Sequence, residues 1–215
     1  GAALAVALGV LRWATGATAV SAVPSALGSA PSAAVLVAAG ALLLAAMIQS
    51  ALLPFHAWLL SSMTAPTPAS ALMHAGFVNA GGILLVRFAP VVSVDASVLL
   101  AIVPVGATSA ILGKLLKTVR TDIKGKLGCS TVGQMGFMIM QAGLGFFGAA
   151  VTHLILHGFY KAYQFLGAGG EVEHASPAAT TTARSVTPLG VAVTAGTALA
   201  GGAVFATLTG KVSGV

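Results

Sequence analysis

Apolar residues in this chain come in runs of about twenty, punctuated by short clusters of Pro, Ser, Gly and Thr or by charge. A run of about twenty is what an α-helix needs to cross the hydrocarbon of a bilayer. The pattern predicts spans over 2–22, from 33 into a break at Pro54, and over 68–89, 97–116, 122–143, 147–168 and 188–208. Membrane β-strands would alternate over stretches of about ten residues. Here the runs are longer and rich in Ala and Gly, so the fold class is all-α, a polytopic transmembrane helical bundle. Proline inside a helix removes a hydrogen bond and clashes with the preceding turn, which makes Leu52-Leu53-Pro54-Phe55-His56 a helix break at membrane depth. A short helix resumes over 57–63 before Pro66 and Pro68, and Pro68 suits the first turn of the next span. The stretch 169–187 is polar and partly Thr-rich, a water-exposed linker.

Composition agrees with the pattern. The 215 residues are 57% hydrophobic and 7% charged, with a mean hydropathy of +1.00, whereas a soluble surface takes about 25% charge. The chain opens on Gly1 without an initiator Met or a charged region before its first apolar run, which reads as a fragment of a longer protein rather than a signal peptide. Cys129, the single cysteine, has no intrachain disulfide partner and is assigned to packing. Ten Lys+Arg against four Asp+Glu give a net charge of +6. Lys114, Lys117, Arg120, Lys124 and Lys126 gather between the fourth and fifth spans, and this concentration reads as a cytoplasmic connection rather than a nucleic-acid site. Alternation then puts 23–32 and 90–94, with Asp95, outside, and 61–68 and 169–187, with Arg184, inside.

Ionisable groups inside a span are costly and need a function or a route to the interface. Arg87 can snorkel from one turn inside its span; Arg12 falls mid-span and faces a missing helix or a neighbouring subunit. His153, His157 and Lys161 recur at i, i+4 and i+8, stacking three titratable groups on one helix face over about 12 Å. Such a row can pass protons. Two histidines at i, i+4 also suit a metal, but HLILH lacks the Glu of a zinc peptidase, and no metal is assigned. The spans hold no carboxylate pair for hydrolysis. His74, with Asn79 beyond it, is placed beside the broken helix; Gln49 stands about a turn before the break, and Gln134 and Ser130 can hydrogen-bond along the fifth span. The row His153, His157 and Lys161 is thus a candidate relay; His74, which a packing role would also explain, and Gln49, Pro54 and Gln134 are candidate relay or channel-lining positions beside it.

The run SALLPFHAWLLSSMTAPTPASALMHAGFVNAGG, continued by TDIKGKL, STVGQMGFM and HLILHGFYKAYQFL, resembles the antiporter-like proton-translocating family, which includes the large membrane subunits of respiratory complex I and the multisubunit cation/proton antiporters. The likeness covers roughly 45–170. HAGFVNAGG, QMGFMIMQAGLG and HGFYKAY look more like the membrane subunit of the inorganic-carbon accumulation complex than like a complex I subunit. The resemblance implies two inverted five-helix repeats, each with one broken helix, around a polar axis at the bilayer midplane. Residues 1–92 would hold the end of the first repeat and 93–215 much of the second. By motif position His74 matches the family's channel histidine, and His153, His157 and Lys161 match its central relay row. Gln49 stands where complex I-type members carry lysine, and Lys211 does not align through the last span with the terminal relay lysine.

The chain is thus expected to conduct H⁺ or Na⁺ and to energise a partner in inorganic-carbon uptake, without catalytic chemistry or a cofactor of its own. Two other readings stand beside it: a proton-pumping subunit of NADH-quinone oxidoreductase or of a multisubunit Na⁺/H⁺ antiporter, and a non-conducting membrane scaffold. The resemblance implies a hetero-oligomeric complex in lipid, with a large zinc-containing subunit resembling carbonic anhydrase, in the plasma membrane of a prokaryote.

Overall fold

The computed structural model describes residues 1–171 and 187–208, and every regular element among them is helical. The helices are α1 (Ala2–Thr15), α2 (Ser32–Gln49), α3 (Ala57–Ser61), α4 (Thr67–Ala75), α5 (Ala80–Arg87), α6 (Ala96–Val119), α7 (Ile123–Gly143), α8 (Phe147–Glu171) and α9 (Pro188–Leu208). Short helical turns add Val20–Ala26 and Ala89–Val92. The described residues 1–171 belong to one compact unit; α9 belongs to another and is a single helix of 21 residues. Arg184, Lys211 and the linker from 172 to 186 lie outside the described residues.

The protein is an integral membrane helical bundle. By length and composition α2, α6 and the pair α4–α5 can each cross a membrane, and α1 with Val20–Ala26, bent by 53°, has the length and apolarity to do so when the pair is taken as one span. The helices α7 and α8 have the length, at 21 and 25 residues, but not the apolarity. Gly128, Gly133, Gly136 and Gly143 of α7 and His157 and Lys161 of α8 are buried.

Four expectations are corrected. The first span is not one straight helix to 22: Gly16 takes a left-handed φ of 66°, free to a residue without Cβ, and ends α1 before the chain turns into Val20–Ala26. Arg12 therefore sits exposed in the last turn of α1 rather than inside a continuous helix. The third span is broken as well, because Gly76 leaves the helix and passes into the 3₁₀ turn Phe77–Asn79; a Cβ there would stand 2.7 Å from the Leu72 carbonyl. Finally, the basic stretch is mostly helix. Lys114 and Lys117 ride on the last turns of α6, Lys124 and Lys126 on the first turn of α7, and only 120–122 connects them. The Asp122 carboxylate accepts from the Gly125 amide and caps α7, as Asp95 caps α6 by accepting from the Ser97 amide at 2.7 Å.

The predicted break in the second span is present, though it starts before the proline. The chain leaves α2 at Ser50, Ala51 adopts φ 51°, and the Leu52 amide reaches back to the Met47 carbonyl at 2.9 Å. Pro54 follows a cis peptide bond, and helix resumes only at Ala57. The freed backbone finds side-chain partners, as it must at membrane depth. The Leu53 amide donates to Ser109 Oγ at 3.2 Å, and the Trp58 indole donates to the Ile48 carbonyl at 2.9 Å.

Lipid gives helices no hydrophobic reason to associate, so small residues that let backbones touch hold them together. Gly106 and Gly113 of α6 face Gly136 and Gly133 of α7, and Gly143 of α7 packs against Ile102 and Val103. A Cβ on Gly106 would stand 2.7 Å from the Gly136 carbonyl, and one on Gly113 would run into the Gly133 backbone. At one end of this seam Lys124 Nζ donates to the carbonyls of Met63 and Ala65, at 3.2 and 2.6 Å. The connections around 63–65 and 120–122 therefore share one end of the bundle.

Candidate functional site

Helical period builds the site. His153, His157 and Lys161 fall on one stripe of α8, and Phe165 continues it by another turn. Lys161 and Phe165 are fully buried, His157 is 5% exposed and His153 is half-buried, while Leu156, Phe159, Tyr160 and Tyr163 are exposed. The imidazole centroids of His153 and His157 lie 6.0 Å apart. At one end of the row Gln141 Oε1 lies 3.2 Å from His153 Nδ1, with the Phe137 ring 5.5 Å from the same imidazole. Further along, Lys161 Nζ donates to the Leu127 carbonyl of α7 at 3.1 Å.

His74 joins the row from α4. It is fully buried, and its ring stacks on Phe165 with centroids 4.4 Å apart and planes 25° apart. Gly128 of α7 makes the room: a Cβ there would lie 3.6 Å from His74 Cε1. Lys161 is within electrostatic reach of both His74 and His157. The four predicted relay residues are thus brought together, His74 from α4 and the other three from α8.

Both ring nitrogens of His74 and of His157, and Asn79 Oδ1, are buried without a hydrogen-bond partner among the described residues. A polar atom left unpaired at this depth costs several kcal/mol. Free imidazole nitrogens beside a buried amine can accept a proton and hand it on. Among the described residues no three His, Cys, Asp or Glu side chains gather as a metal would need.

The lining residues are placed less tightly. Gln49 is exposed and donates to the Phe77 carbonyl at 3.2 Å; Pro54 is exposed; Gln134 is half-buried on α7. The cavity at the first break, about 290 Å³, is lined by Met47, Leu53, Pro104, Val105, Thr108 and Ser109. His74 does not lie against that opening, contrary to expectation. Because α4 unwinds at Gly76, the carbonyls of Phe77 and Val78 meet the first break, and His74, a turn earlier, faces α7 and α8. Two contributors went unnoticed in the sequence. Gln141 lies two helical turns beyond Gln134 on the same face, and Phe165 one turn beyond Lys161; two steps along the first face and one along the second would have found them.

The NADH:quinone oxidoreductase/Mrp antiporter transmembrane family matches residues 2–194. The chain belongs to that family. It is 51% identical over 132 residues to a probable inorganic carbon transporter subunit, DabB1, of Halothiobacillus neapolitanus, a match covering 61% of this chain and 24% of that protein. It is 45% identical over 147 residues to NADH-quinone oxidoreductase subunit L of Mycobacterium tuberculosis, covering 66% of this chain and 23% of the relative. The Mrp complex of Dietzia sp. DQ12-45-1b has a chain that superposes with a TM-score of 0.75 at 33% identity, over 83% of this chain and 20% of the other. The chain spans about a quarter of the length of the curated relatives it matches. The resemblance read from the motifs is borne out, and the relatives are, by name, subunits of larger assemblies.

Proposed function

We propose that the chain forms part of the conducting core of a membrane subunit that carries H⁺, or Na⁺, and energises a partner in inorganic-carbon uptake. One observation carries the reading: Lys161, fully buried, sits with His157 and His74 inside the bundle, and the ring nitrogens of both histidines are unpaired among the described residues. The name of the 51%-identical relative supports carbon uptake as the work done. The partner is a large zinc-containing subunit resembling carbonic anhydrase, and the membrane is the plasma membrane of a prokaryote. The relative named subunit L keeps a quinone-reductase role as the second reading.

The test is to purify the full-length subunit from native membranes with whatever accompanies it, and to measure dissipation of an imposed proton gradient in proteoliposomes. A zinc protein in the complex and a flux that falls to background in Lys161→Ala are the expected results. A flavin and iron–sulfur arm in its place would move the function to the second reading, and an unchanged flux would end the conduction proposal.

A further inference from the structure

We infer that Ser50 and Gln49 are positioning residues which hold His74 in register with the α8 row by bonding one helix break to the other; this rests on the relay reading above. The side chains of these neighbours at the end of α2 donate to neighbouring carbonyls of the second break: Gln49 Nε2 to Phe77 at 3.2 Å, and Ser50 Oγ to Val78 at 2.7 Å. Two adjacent bonds between the same pair of segments fix rotation as well as separation. The acceptors sit in the turn that directly follows α4, and His74 lies three residues before Phe77 in the last turn of that helix.

The turn is held from its other side by α8. A Cβ on Gly158 would stand 3.1 Å from the Ala75 carbonyl, to which Asn79 Nδ2 also donates at 2.7 Å. Gly81 makes the approach of α2 feasible, because a side chain there would collide with the Ser50 hydroxyl and the Ala46 carbonyl. Since α4 unwinds at Gly76, the helical ladder does not run unbroken through this turn. Its place is set by the clamp between the α2 break on one side and Gly158 on the other. Ser50 is fully buried, so its bond is not exchanged for one to bulk water. Both donors reach the turn rather than the relay row, and they act on conduction through His74.

The experiment uses the full complex, labelled with ¹⁵N-histidine, and compares wild type with Ser50→Ala and Gln49→Glu, which keeps the shape but loses the donor. Expected for Ser50→Ala is a drop in flux of roughly five- to tenfold at unchanged abundance, the worth of one buried hydrogen bond, together with a displaced His74 ring signal. Gln49→Glu should move the same signal less, since Gln49 is exposed. Adding Ser50→Ala to His74→Ala should lower flux no further than His74→Ala alone. If Ser50→Ala fails to assemble, Ser50→Cys, of similar shape and a weak donor, carries the spectroscopic comparison. A His74 signal unmoved in the assembled variant, or losses that add in the double variant, would overturn the inference. Should His74→Ala conduct like wild type, the relay reading falls, while the ring signal still decides whether Ser50 positions His74.

Discussion

Lys161 is the residue at which conduction and packing predict opposite outcomes. A carrier must release its proton, so Lys161→Ala and His157→Ala should each abolish uptake-dependent growth with the complex assembled, and Lys161→Arg should fail too because guanidinium stays protonated. A packing role predicts that Lys161→Met supports growth at normal membrane abundance, which would replace conduction with the scaffold. Gln141 is the second handle. It bonds His153, so Gln141→Leu should lower flux several-fold, and an equal effect of Gln134→Leu would show that the contact with His153 is not what matters. Outside the membrane, bonds from the Ser97 hydroxyl and amide hold the Asp95 carboxyl below the usual carboxylate range. Its contribution to helix capping is complete above that range and is lost as pH falls through the lowered value. Asp95→Asn, still an acceptor, should remove that acid sensitivity in a thermal unfolding series. The α8 row was legible because a period of four needs no partner to be seen. The stacking of His74 on Phe165 was not, since it depends on where α4 stops.

At the scale of helices, the α6–α7 seam makes a sharp steric prediction. A methyl at Gly136 would press on the backbone of Ala110 and Gly106, and one at Gly113 on the backbone of Gly133. Overpacking of this kind costs about 1–3 kcal/mol or more. Gly136→Ala and Gly113→Ala should therefore lower the amount of assembled subunit in the membrane, whereas Gly9→Ala, with nothing within 4 Å of its Cβ, should not. Equal abundance in all three would show that the seam is not what holds these helices. The breaks were legible in part. Proline at 54 announced one, but the chain had already left α2 at Ser50, and the second, at Gly76, carries no proline. A glycine tolerates a turn without requiring one, and the requirement here comes from neighbours on both sides.

For the whole molecule, the bonds of Lys124 to Met63 and Ala65 place two connections at one end of the bundle, as alternation of the spans predicted. The lysines around 120–122 lead us to expect that end in the cytoplasm. Thr121→Cys, at an exposed position, should react with an impermeant thiol reagent only in inverted vesicles, with buried Cys129 silent; labelling of intact cells would reverse every loop assignment. The sequence by itself determined the class, the α8 row and the family, because hydrophobic length, helical period and motif spacing are one-dimensional properties. It could not decide that His74 would turn from the first break toward Lys161, that Gln141 would meet His153, or that Ser50 would reach the second break. Those are contacts between segments far apart in the chain. They are set by how closely glycine-lined helices approach and by where freed backbone carbonyls find donors, and only the tertiary structure fixes either.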